Sequence, residues 1–259
     1  MNNNKILVER HGHTALLTIN NPSANTWDRE SLTLFESTVR ALESDKDVYA
    51  LVITGQGEKF FSAGADLNQF ADGDSDSARE ISELFGRAFE ALSAFRGVSI
   101  AAINGYAMGG GLECALACDL RIAEEHAQMA LPEATVGLLP CAGGTQNLPW
   151  LVGEGWAKRM ILCGERVDAP TALRIGLVEE VVPRQGALER ALQLAQQVAR
   201  QSPVSVKHCK ALIMNARSQS QASGWARERV LFLDLFTTRD QREGVQAFLQ
   251  KRAPEWVNG

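Results

Sequence analysis

Three consecutive glycines, Gly109-Gly110-Gly111, follow the apolar run Ala102-Ile103-Asn104-Gly105-Tyr106-Ala107-Met108 and open a helical stretch that carries Glu113. Glycines leave backbone N–H groups without side-chain cover and open to a ligand. A helix beginning there adds the positive end of its dipole at the same spot. Glu113 lies three residues past Gly110, about 4.5 Å further along the axis and on the same side. The pattern sets an anion-binding backbone site beside a carboxylate acid/base, the parts needed to make and quench an enolate. Three more elements carry chemical potential. Ser62-Ala63-Gly64-Ala65-Asp66 is a small-residue turn whose backbone can approach a ligand. Leu131-Pro132-Glu133 puts a carboxylate just after a strand, and Ala142-Gly143-Gly144-Thr145-Gln146 is a second tight turn into a helix.

Repeated strand–turn–helix patterns must position these groups. Residues 6–9 and 14–20 read as a hairpin around His11-Gly12-His13. In residues 28–44, Leu32, Phe35, Val39 and Leu42 recur at helical spacing and mark a buried stripe. Residues 48–54 and 60–66 read as strands with turns. The polar, acidic stretch 71–79 reads as a mobile surface loop, followed by a helix with Ile81, Leu84, Phe85, Ala88 and Leu92 on one side. A strand at 99–103 leads into the glycine turn and a helix at 111–117. Short strands at 119–123 and 128–131 follow, then a helix from Gly143-Gly144 toward Val152. From about Ala187 the chain reads as mainly helical. Trp225, Leu231, Leu233, Leu235 and Phe236 there form an apolar stretch suited to the core or to a subunit contact.

The 259 residues are 45% hydrophobic, enough for a large core, and the formal net charge is −5. That balance argues against nucleic-acid binding, which usually needs a basic face, but not against a small anionic ligand. The opening residues lack the apolar stretch of a signal peptide, and the run 98–118 is interrupted by Asn104, Glu113 and several glycines. The expectation is a soluble cytoplasmic protein with no membrane partner. The five cysteines form no CxxC pair. Cys114 and Cys118 share a helix face near His126, but they read as buried thiols rather than a metal site.

In this order and at these spacings the four elements resemble the crotonase, or enoyl-CoA hydratase/isomerase, superfamily. The resemblance runs from Asn20-Asn21-Pro22 to Phe248-Leu249-Gln250-Lys251-Arg252. It implies an α/β fold, a spiral of ββα units over residues 1–200, with a helical C-terminal region at 201–259 that trimerises, commonly as a dimer of trimers. It implies an acyl-CoA substrate and no metal or redox cofactor. The N–H groups of Ala65 and Gly110 correspond to an oxyanion hole on the thioester carbonyl; such donors are typically worth about 10²–10³ in rate each. Ala63, Ala65, Asp66 and Gly109 are implied substrate contacts, with Lys251 reaching the CoA of a neighbouring subunit. Both glutamates of the hydratase pattern are present: Glu113 takes a proton from water, and Glu133 supplies one to the α-carbon. Two carboxylates sharing a water resist double ionisation, so one titrates high, as part of a pair.

The sequence departs from the family's pattern in four places. The Pro22-Ser23-Ala24-Asn25 loop has no basic residue for the CoA phosphates. Asn147 stands where arginine is frequent, Leu131-Pro132 where Gln-Pro is familiar, and Cys141 where glycine is common. The implied reaction is reversible hydration of trans-2-enoyl-CoA to 3-hydroxyacyl-CoA. Double-bond isomerisation by Glu133 alone is the alternative, as is a dehydratase/thioesterase-type reaction making a cis-2-unsaturated fatty acid signal. An RNA-binding homologue would need a lysine-rich helix, and residues 28–44 are acidic; a silent scaffold would be expected to lose the carboxylates. The acyl pocket is expected between the stretch 71–79, the helix around Phe85 and Phe89, and the region after Pro140.

Overall fold

In the computed structural model, which describes residues 4–259, the chain is mixed α/β with two sheets. β1 (Ile6–His11) and β2 (Thr14–Ile19) form the expected antiparallel hairpin. β3 (Ala50–Gly55) joins β2 in parallel, and both are buried along their length. Near-continuous apolar runs of this kind suit a sheet covered on both faces.

After β3 one unit recurs: a strand for the first sheet, a shorter strand for the second, then a helix. The first repeat is β3, β4 (Phe60–Ser62) and α2 (Ser75–Ala94). Next come β5 (Val98–Ile103), β6 (Tyr106–Met108) and α3 (Gly110–Ala117). β7 (Leu120–Glu124) and β8 (Gln128–Ala130) lead through a 3₁₀ turn at Glu133–Val136 to α4 (Gly144–Leu162). β9 (Val167–Asp168), α5 (Ala169–Ile175) and β10 (Glu180–Val182) complete the sheets, ordered β1-β2-β3-β5-β7-β10 and β4-β6-β8-β9. This is the expected ββα spiral. Its consequence is local: β6 and β8 run parallel with Met108 opposite Ala130, and Gly109 N–H donates to Ala130 O at 2.9 Å. The segments leaving those two strands, Gly109–Glu113 and Pro132–Glu133, therefore emerge side by side.

α1 (Arg29–Ser44) starts where the polar pattern ends, capped by Asp28 in a reciprocal box with Ser31. Between α1 and α2, Trp27 meets Phe35 and Phe89 edge-to-face at 5.3 and 5.5 Å. The stretch 71–79 is not one loop. α2 begins at Ser75, and the Asp74 carboxylate accepts from Ser77 N–H at 2.8 Å. The acidic, serine-containing tract is a helix start, because such side chains satisfy the first free N–H groups and favour the dipole. β6 also falls where a simple turn was expected, and α4 runs past Val152 to Leu162 with a break at Gly153 (φ 74°). Cys114 on α3 and Cys118, the residue capping its C-terminus, both lie buried.

The last third is helical: α6 (Ala187–Val198), α7 (Pro203–Asn215), α8 (Gln221–Leu235) and α9 (Arg239–Gln250). α6 lays Ala187, Ala191 and Ala195 on the back of the first sheet. Among the described residues no helix is long and apolar enough to cross a membrane. α7 is pinned to the core by Lys210, whose ammonium donates to Phe95 O (2.7 Å), Gly97 O (3.0 Å) and Asp119 Oδ2 (2.7 Å). Hydrogen bonds to charged groups contribute about 1.5–3 kcal/mol each way they are lost. Lys210→Met is therefore expected to lower unfolding stability by about 2 kcal/mol in urea titration, through loss of the ammonium from Asp119 and from the two carbonyls. An unchanged midpoint would remove Lys210 as the anchor of α7.

Candidate active site

The first turn of α3 is where the small residues crowd. Gly109 has φ 51°, a conformation side chains rarely adopt, and a Cβ there would lie 3.2 Å from Glu133 Oε1. Gly64 also has positive φ (93°), and a Cβ on it would come within 3.3 Å of Gly110 N. The turn after β4 and the start of α3 are thus in backbone contact. Trp27 N–H donates to Gly64 O and Asp66 N–H to Trp27 O, which locks the turn through Ala65. Among the described residues neither Ala65 N–H nor Gly110 N–H donates to a protein acceptor. Gly110 is the first residue of α3, so its N–H is one of the donors a helix leaves free.

Two carboxylates face the space beside these donors. Glu113, only 2% exposed, accepts from Ala142 N–H (2.8 Å) and Gly144 N–H (2.9 Å) through Oε1. The second glycine turn thereby holds the first carboxylate in place. Burial pushes Glu113 above the usual carboxylate range, and the two N–H bonds oppose that. Glu133 is different: both its oxygens are buried without a hydrogen-bond partner. Burial, and after it the charge of Glu113, raises its pKa to about 7. The two environments push the pair apart, so that Glu113 is the better hydrogen-bonded carboxylate and Glu133 the better proton carrier. Cys141 faces the same pair; burial and both carboxylates push its thiol up to about 11, leaving it a neutral wall rather than a nucleophile.

These groups line one cavity of about 300 Å³. Of the residues singled out from sequence, Ala63, Ala65, Gly109, Gly110, Glu113 and Glu133 come together there. Asp66 does not line it: its carboxylate is turned to cap the next turn, accepting from Asn68 N–H (3.1 Å) and Nδ2 (2.8 Å). Lys251 is the left-handed residue that caps the C-terminus of α9, and it does not line the cavity of its own chain. Phe85 lines the cavity, as do Leu138, Leu139 and Cys141 after the 3₁₀ turn, whereas the stretch 71–79 does not reach it. Leu67 and Phe70 also line it and were not anticipated; their three-residue spacing in a short turn is too brief to read as a pattern. Among the described residues no cluster of three or more His, Cys, Asp or Glu is arranged to hold a metal ion.

A model of the enoyl-CoA hydratase/isomerase family matches residues 9–259. The chain belongs to that family. It is 41% identical over 253 residues to the 2,3-dehydroadipyl-CoA hydratase of Escherichia coli (strain K12), covering 97% of this chain and 98% of that one. It is 36% identical to the short-chain-enoyl-CoA hydratase of Clostridium acetobutylicum over 253 residues, 97% of each. Its structure matches that of Pseudomonas aeruginosa DspI with a TM-score of 0.95 at 68% identity, over 98% of this chain and 97% of that one. In an enoyl-CoA hydratase/isomerase family member, a pair of free backbone N–H groups beside two carboxylates is where acyl chemistry is to be sought.

Proposed function

We propose that this chain hydrates 2-enoyl-CoA thioesters reversibly, with Glu113 and Glu133 as the acid/base pair and the N–H groups of Ala65 and Gly110 as the oxyanion hole. The observation that carries the reading is the asymmetry of two buried carboxylates in one cavity, Glu113 held by two N–H groups and Glu133 by none. In the forward direction water oxygen bonds to the β-carbon while its proton passes to Glu113. The electron pair displaced from the double bond settles on the thioester oxygen, where two preorganised donors stabilise it. The enolate then collapses and the α-carbon takes the proton of Glu133. The pair ends with the proton on the other carboxylate, and solvent exchange resets it. Isomerisation needs only one proton shuttle, so the second carboxylate supports hydration over it.

Exposed apolar residues at the C-terminal end, Phe232 (60%), Leu233 (65%), Phe248 (82%) and Leu249 (74%), support assembly of this region with further copies as a trimer or dimer of trimers. The division into a 1–200 core and a 201–259 assembly region, and a role for Lys251 at a neighbour's CoA, rest on that assembly.

The test is turnover of the purified protein on crotonyl-CoA, with products resolved by mass spectrometry and subunit number by light scattering. Gain of one water, and a mass three or six times 28.2 kDa, are expected. Because hydration uses protonated Glu133, kcat/KM should fall about tenfold per pH unit on the alkaline side of an apparent pKa near 7. A shifted double bond or a released free acid without hydration would replace this reading with isomerase or thioester-cleaving chemistry.

A further inference from the structure

Trp27 touches both halves of the proposed oxyanion hole, yet its side chain has no part in the proton transfers. Its backbone pairs in parallel with Ala65: the N–H donates to Gly64 O at 2.8 Å, and the carbonyl accepts from Asp66 N–H at 2.9 Å. Its indole lies against the other half, since a Cβ placed on Gly110 would stand 3.6 Å from Trp27 Cδ1. The ring is fully buried, and Phe35 from α1 and Phe89 from α2 meet it edge-to-face, so it is held in one orientation. It does not line the catalytic cavity. Any effect it has on the reaction therefore passes through the groups it positions. One further observation sets this residue apart from ordinary core: its indole N–H is buried without an acceptor. An unsatisfied buried donor costs free energy, so packing alone would favour a wholly apolar side chain here.

We infer that the Trp27 indole is a positioning residue that sets the spacing between Ala65 N–H and Gly110 N–H. The inference rests on the oxyanion-hole reading of those two donors and extends it to the residue that holds them apart. The backbone of Trp27 fixes the turn after β4, and its side chain limits how closely the start of α3 can approach that turn. Only χ1 and χ2 separate the two contacts, and the surrounding rings lock both. Phe85 backs Gly110 as well, its Cε1 2.7 Å from the same Cβ position, but Phe85 also lines the cavity and would touch substrate. Trp27 is the cleaner lever. A hole of fixed width stabilises charge on the thioester oxygen without reorganising as that charge develops. A loosened hole loses kcat before it loses binding.

The test measures crotonyl-CoA hydration and, separately, the near-ultraviolet enolate band of bound acetoacetyl-CoA, in wild type and a Trp27 series. Trp27→Val removes the ring and is expected to lower kcat about tenfold or more, with KM within about twofold. Trp27→Phe keeps a ring carbon at the Cδ1 position and lacks the orphaned N–H, so its kcat is expected within about threefold of wild type. Trp27→Leu keeps a methyl there but no ring for Phe35 and Phe89 to hold. Its kcat should fall between the other two, and it keeps the test open if Trp27→Val folds poorly. The enolate fraction at fixed pH should decline in the same order, which a general loosening of the core would not produce. Leu92→Ala supplies that loosening: Leu92 is fully buried in the same core, about 10 Å along α2 from Phe85, and its loss should leave kcat and the band within about twofold. Equal losses in Leu92→Ala and Trp27→Val, a Trp27 series that moves KM alone, or wild-type values throughout would overturn the inference while leaving hydration of crotonyl-CoA standing. An enolate band that fades through the Trp27 series, without hydration by any form, would uphold the positioning role and sink the hydratase reading instead.

Discussion

Glu133→Gln is expected to lower kcat for crotonyl-CoA hydration by about 10²–10⁴, the usual contribution of a positioned general acid or base. Glutamine preserves the shape of the side chain but has no proton to give the α-carbon. Glu113→Gln should cost a similar factor for a different reason: its amide cannot take water's proton, and it turns a donor or a weaker acceptor toward Ala142 N–H and Gly144 N–H. Because the two act as a unit, the double variant should be little worse than either single one. Folding provides the control. The pKa of Glu133 is raised in the folded chain to about 7, so its protonation stabilises the fold below the ordinary carboxylate value of 4.5. That stabilisation is lost as pH rises through about 7, where a buried, unpartnered anion is left. Glu133→Gln should therefore be the more stable protein in urea at pH 8 while being the less active one. Near-wild-type turnover in either single variant would end the two-carboxylate mechanism, and a variant both inactive and unstable at pH 8 would contradict the burial argument.

Much of the site was legible because its parts are local. The helical periodicity of Leu32, Phe35 and Val39, the hairpin around Gly12, and the glycines before Glu113 each act within a few residues, and all three occur as read. What brings Glu113 to Glu133 is not local: it is the parallel pairing of β6 with β8, strands of only three residues each. β8 was read as a strand at 128–131, but β6, β9 and β10, at two or three residues, show no period of their own, and the family resemblance supplied the juxtaposition instead. Asp66 and Asp74 show the opposite difficulty. A carboxylate beside a turn reads equally as a ligand contact, a loop residue or a cap, and here both cap the next helical turn. Cys141 stood out in the sequence as a departure from the family's pattern; its position on the cavity wall beside both carboxylates needed the fold.

Gly64→Ala carries the second large effect expected of this chain, a loss of about 10²–10³ in kcat, the size of a misplaced oxyanion donor. Two penalties coincide at this residue. Its φ of 93° disfavours any side chain, and an added Cβ would stand 2.7 Å from Met108 O and 3.3 Å from Gly110 N. The contact is backbone on backbone, so no side chain can swing aside to relieve it. Relief must come from separating the turn after β4 from the start of α3, and those two segments carry Ala65 N–H and Gly110 N–H. Gly57→Ala separates the causes: Gly57 has φ 84°, but nothing lies within 4 Å of a Cβ placed on it. Both variants should lose stability through the strained φ, of order 1 kcal/mol. Only Gly64→Ala should lose turnover, with KM for crotonyl-CoA changing far less than kcat, since the donors act on the charge that develops during reaction. If Gly57→Ala proved equally inactive, strain in glycine turns rather than the spacing of the two N–H groups would be limiting. If Gly64→Ala kept its kcat, the oxyanion would have to be held elsewhere.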